Sequence, residues 1–166
     1  MQKRLTKILD ILKDQTDLLK SLESVLIKEK NAIVNSELEA LSRAGKEKEN
    51  LFLMIKLLEE QRLKIMNQLS HLFDHSSNKL TLDELCSITD EPFSSVLKKS
   101  RLSLLSLTEN IKELNNFNKK LLSHSLGFVK GSLSIIDSIT IQGPVYHKTG
   151  ELQSFSHSGK VLSDEI

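Results

Sequence analysis

Apolar residues recur at intervals of three and four along most of this chain, which predicts long amphipathic helices and an all-α fold. Over residues 3–34, Leu5, Ile8, Leu12, Leu19, Leu22 and Leu26 follow a heptad with Gln15 as its polar occupant. Ile11, Leu18 and Val25 widen the stripe beyond what a two-stranded seam needs, so a bundle is expected. A break is expected at Asn35–Ser36, where Ser36 and Glu39 have the spacing of a capping box. A second helix over residues 37–73 carries Leu38, Leu41, Leu51, Met54, Ile55 and Leu58 on one face. The same face continues through Arg62, Ile65, Leu69 and Leu72, with a kink or exposed turn expected at Ala44–Gly45. The polar connector Asp74–Lys79 has turn chemistry. A short helix over 82–87 follows, with Thr81 and Glu84 as its capping box, and Pro92 suits the first turn of the next helix.

That last helix is expected over residues 92–136. Leu97, Leu104, Leu107, Ile111, Leu114, Leu121, Phe128 and Ile135 hold its heptad, with Ser100, Asn118, Ser125 and Ser132 as polar interruptions. About 45 helical residues span roughly 67 Å, more than the second helix can cover, so the end past about residue 130 lacks an internal partner. Gly127 and Gly131 weaken that end, each costing roughly 1 kcal/mol relative to alanine. The expected architecture is an elongated antiparallel three-helix bundle or coiled coil, residues 1–136, with a long C-terminal helix. Residues 137–166, rich in Gly, Ser and His, are expected to be a flexible tail.

Composition narrows the chemistry. The 166 residues include 23 basic and 22 acidic side chains, which leaves no surplus for nucleic acid. No apolar run approaches 18 residues, and charges interrupt the N-terminus before a signal sequence could form, so neither membrane insertion nor a cleaved leader is expected. The single cysteine, Cys86, fits a reducing, cytoplasmic compartment. His71 and His75 have a possible metal spacing but no third ligand, and the solvated reading at a helix end outweighs it. His124, His147 and His157 form no cluster, and neither a nucleophile elbow nor a glycine-rich phosphate loop occurs. Lys98, Lys99 and Arg101 read as a solvated helix face. No enzyme, cofactor or metal is expected.

The run Asn115–Ile141 reads instead as a binding element. Asn115 and Asn118 sit where a polar residue at a core position can specify register or partner. Val129, Leu133 and Ile136 have the i, i+4, i+7 anchor spacing of a helix laid in a groove. Gly127-x-x-x-Gly131 permits close helix approach, a weak signal by itself.

With these residues in view, the chain resembles the FlgN family of flagellar type III export chaperones. The stretch LIKEKNAIVNSELEALSRAGKEKENLFLMIKLLEEQR resembles that family's Glu-rich helix with its closing arginine, here Arg62. NNFNKKLLSHSLGFVKGSL is the more specific likeness, and Val145–Gly150 is similar to the family's following Tyr-x-x-x-Gly. Beyond Gly150 nothing aligns. The resemblance implies a cytoplasmic chaperone of the hook–filament junction proteins FlgK and FlgL. Such a chaperone binds their C-terminal helical segments, prevents premature association, and delivers them to the export gate and its ATPase-associated components. It also implies that Asn115, Asn118, Leu121, Leu122, Leu126, Phe128, Val129, Leu133, Ile136 and Tyr146 form the substrate-protein site. A monomer or weak homodimer is expected. The alternative is a structural coiled-coil component of a secretion or division apparatus, self-assembling through the same heptads.

Overall fold

The computed structural model describes residues 2–71 and 80–141, with the backbone alone for residues 139–141. Every regular element among the described residues is a helix: α1 Gln2–Val34, α2 Leu38–Ser70, α3 Leu82–Ile88 and α4 Phe93–Ile141. The chain divides into two compact units, Met1–Ser125 and Leu126–Ile166. The expected connector over 74–79 and the expected tail beyond residue 141 lie outside the described residues.

The α1 heptad buries as its spacing requires, with Leu5, Ile8, Leu12, Leu22 and Leu26 inside and Gln15 among them. Its end is not what Ser36 and Glu39 suggest. Ser36 adopts φ 58°, its N–H donates to Ile33 O (3.2 Å), and Glu37 N–H donates to Ala32 O (2.9 Å). Those two bonds are a Schellman closure of α1 with serine in the left-handed position usually held by glycine. The α2 N-cap is Glu37, with no side-chain capping bond. Ser36 cannot both close α1 and cap α2, and the closure wins because it satisfies two otherwise orphaned carbonyls. Ser36→Gly is therefore expected to raise stability by about 0.5–1 kcal/mol, read as a higher urea midpoint at unchanged slope.

α2 continues without interruption through Ala44–Gly45. Ala44 is buried and packs in the core, while Gly45 has open space where a Cβ would stand. The Lys and Glu residues that follow are good helix formers and outweigh one glycine. Of the face expected for α2, Leu51, Ile65 and Leu69 are buried, whereas Leu38 and Met54 are exposed. The α3 start is as its sequence predicts. Thr81 Oγ1 accepts from Glu84 N (3.2 Å), and Thr81 N donates to the Glu84 carboxylate (2.7 Å). At its other end, Ser94 Oγ donates to Cys86 O (2.8 Å) and Thr89 Oγ1 to Leu85 O (2.6 Å), occupying carbonyls that the helix leaves open. α4 starts after Pro92 and runs through Gly127 and Gly131 to Ile141, past the end expected near 136.

Two clusters form the core of the first unit. In one, Leu5, Ile8 and Leu12 of α1 meet Ile65 and Leu69 of α2, Leu85 of α3 and Leu97 of α4. In the other, Leu22, Val25 and Leu26 of α1 meet Ala44 and Leu51 of α2, with Ile111 and Leu114 of α4 against them. The start of α1 thus meets the end of α2, and these two helices run antiparallel. The start of α4 meets the start of α1, so those two run parallel. No helix among the described residues is long and apolar enough to cross a membrane.

Candidate functional site

The heptad of α4 places Leu97, Leu104, Ile111 and Asn118 at successive sevens. Leu97 is fully buried, Leu104 and Ile111 are half-buried, and Asn118 is 2% exposed. Asn118 Nδ2 donates to Leu26 O (2.8 Å) and to Glu29 Oε2 (2.9 Å). Its Oδ1 is buried without a hydrogen-bond partner. Glu29 in turn is ion-paired with Lys48, so one polar tie joins α4, α1 and α2. An inward amide with both donors committed tolerates no sliding of α4 by a turn, which is how a polar core position fixes register. Sequence reading singled out Asn118 and missed Glu29, although Glu29 is the next step of the heptad after Leu22.

The other expected site residues are distributed unevenly. Asn115 is exposed and, with Leu122, Lys119 and the Glu29–Lys48 pair, lines a cavity of about 240 Å³. Leu121 is half-buried. In the second unit the apolar side chains lie open to solvent: Phe128 is 78% exposed, Leu133 56% and Ile136 57%, with Leu126 and Val129 similar. Leu126, Val129, Leu133 and Ile136 share one helical face by their spacing of three and four. Four apolar side chains on a single open face form a contiguous row rather than scattered surface residues. Tyr146 lies outside the described residues.

A second polar tie sits at the other end of the first unit. Gln15 Nε2 donates to Glu59 Oε2 (3.0 Å), and Arg62 grips the same carboxylate through Nε (2.7 Å) and Nη2 (2.5 Å). The Arg62 hydrogen bonds hold the Glu59 carboxyl below the ordinary carboxylate range against partial burial, and the same pairing pushes Arg62 up. A carboxyl depressed in the folded state stabilises above its unfolded pKa, and that contribution fades as pH falls through the lower folded value. Stability is therefore expected to decline below about pH 4.3 in part through Glu59. Arg62→Met should flatten that part of the slope in urea titrations at successive pH values.

No group of three His, Cys, Asp or Glu side chains is placed to hold a metal among the described residues. His71 is the exposed C-cap of α2, and His75 lies outside the described residues. Cys86 is buried in the core, where desolvation pushes its thiol up and away from reactivity.

A family model described as "FlgN protein" matches residues 1–154, and the chain belongs to that family. The family is one of flagellar export chaperones and is not an enzyme family. No match was found among curated proteins or among solved structures.

Proposed function

From that membership we infer that the chain is a cytoplasmic chaperone of hook–filament junction proteins, FlgK- and FlgL-like. It would hold their C-terminal helical segments, prevent premature assembly, and deliver them to the type III export gate and its ATPase-associated components. The observation that carries this reading is the open apolar row of α4, Leu126, Val129, Leu133 and Ile136, with Phe128 also exposed. Asn115, Leu121, Leu122 and Tyr146 extend the proposed contact, and Asn118 contributes by fixing the helix that presents it. The scaffold that the two core clusters support is an antiparallel three-helix bundle, as monomer or weak homodimer.

The mechanism is helix-in-groove association, in which an amphipathic substrate helix covers the row. Each apolar side chain fully buried contributes on the order of 1.5–3 kcal/mol. Gly127 and Gly131 make this end of α4 the costlier end to hold helical, so part of the binding energy is spent on ordering it. The balance favours a complex that holds a subunit and still releases it at the gate.

Leu133→Asp combined with Ile136→Asp puts two carboxylates into that contact. Affinity for a FlgK- or FlgL-like protein is expected to fall by roughly a hundredfold or more in calorimetry, since each buried charge lacks a partner. Unchanged affinity would refute this assignment of the site.

A further inference from the structure

The outer face of α2 carries a pattern that neither the core nor the proposed chaperone contact uses. Ala44, Leu51, Ile65 and Leu69 are buried on one side of the helix, and the opposite side is apolar at its middle. There Leu53 is 63% exposed and Leu57, one turn on, 56%, with Phe52 flanking them at 51%. Neighbouring large apolar side chains this open mark a surface that meets another surface. Charged residues bracket them, Lys46 and Glu49 before, Lys56 and Glu60 after, all exposed. None of these four is ion-paired among the described residues. The charges of α2 nearer the bundle are already matched, Glu47 with Lys28, Lys48 with Glu29 and Arg62 with Glu59.

The order of the four charges is its own complement. Lys46 and Glu60 stand seven residues before and after Leu53, and Glu49 and Lys56 stand four before and three after. When two copies of α2 lie antiparallel with Leu53 against Leu53, Glu60 of each faces Lys46 of the other, and Lys56 comes beside Glu49. Lys64, eleven residues after Leu53, then meets the neutral Ser42, eleven before. A two-fold interface requires this reciprocity, since each contact is made twice. Parallel copies would set every charge against itself. An antiparallel pair with Leu53 against Leu57, richer in apolar contact, would set Lys46 against Lys64. We propose that the outer face of α2 is a self-association surface, on which a second copy of this chain pairs antiparallel about Leu53. Lys46 lies a turn from Glu49, and Lys56 a turn from Glu60, so the free face is neutral and two copies approach without repulsion. From Lys46 to Glu60 the contact is about 21 Å long, four turns of helix. That falls short of the roughly 800 Å² per partner of a standard interface, so the dimer is weak, with a dissociation constant on the order of 100 µM.

Sedimentation equilibrium of the full chain, from about 10 µM to about 1 mM, tests this. The mass is expected to rise from one chain towards two, less steeply at high salt. Glu49→Lys or Lys56→Glu alone creates two like-charge contacts and should weaken association roughly tenfold. Both changes in one chain should restore it, which excludes a folding defect as the cause. Mixing the two single variants should give a heterodimer tighter than either homodimer. Leu133→Asp with Ile136→Asp, the variant that tests the chaperone site, should leave the mass curve unchanged, so the two readings fail separately. A chain that stays monomeric throughout, single variants that associate like the native one, or a mixture without heterodimer overturns the proposal. So does a mass curve flattened by the Leu133/Ile136 variant, because the second copy would then sit on the open row of α4.

Discussion

Leu97→Ala is expected to lower the free energy of unfolding by about 3 kcal/mol, whereas Leu133→Ala changes it by no more than about 0.5 kcal/mol. The two leucines belong to one helix, and their side chains are chemically identical. Leu97 is wholly buried where α1, α2 and α3 converge, so truncation removes apolar contact on every side and leaves a cavity. Leu133 is more than half exposed in the free chain, and alanine there deletes little that the fold uses. Urea unfolding of the two variants checks the pair. For partner binding the order reverses, since Leu133 is the side chain the proposed substrate covers. Similar stability losses at both positions would mean that the α4 row is part of the core.

Lys48→Met is expected to cost about 2–3 kcal/mol. Removing one member of a buried pair costs about 3–5 kcal/mol, here reduced because the side chains are 23% and 11% exposed. Methionine preserves the length of the lysine stem but leaves the Glu29 carboxylate with only the Asn118 amide. Replacing Glu29 and Lys48 together by methionine should recover only part of the loss, because no uncompensated charge remains but one buried Asn118 N–H loses its acceptor. The double variant should then be less discriminating about register, visible as broadened or doubled amide resonances along α4. A loss below about 0.5 kcal/mol for Lys48→Met alone would show that the tie is peripheral.

Much of this was legible in the sequence, and the reasons for the rest are specific. The α1 heptad, the Thr81–Glu84 capping box and the inward Asn118 all follow from spacing, because each depends on residues close in sequence. Ser36 is not the cap that its spacing predicts, because capping-box spacing is a pattern of two side chains. What decided the outcome was a backbone closure that any residue able to reach positive φ completes. Periodicity puts Leu38 and Met54 on the buried face, but a helical stripe is wider than the contact that covers it. The polar ties show the same limit. Gln15 and Arg62 each stood out as polar members of apolar faces. Their meeting at Glu59 is tertiary, joining positions more than forty residues apart. For the proposed binding row, the sequence supplied the spacing and the structure supplied the exposure.

Cys86 has a practical consequence. It is the chain's single thiol, it is 2% exposed, and it lies in the cluster where α1, α2, α3 and α4 meet. A maleimide or disulfide reagent can reach it only while that cluster is open. The rate at which the native protein takes up such a reagent is therefore a clock for opening, built into the chain without any added label. Run with and without a partner, that clock reports whether binding changes how often the core opens.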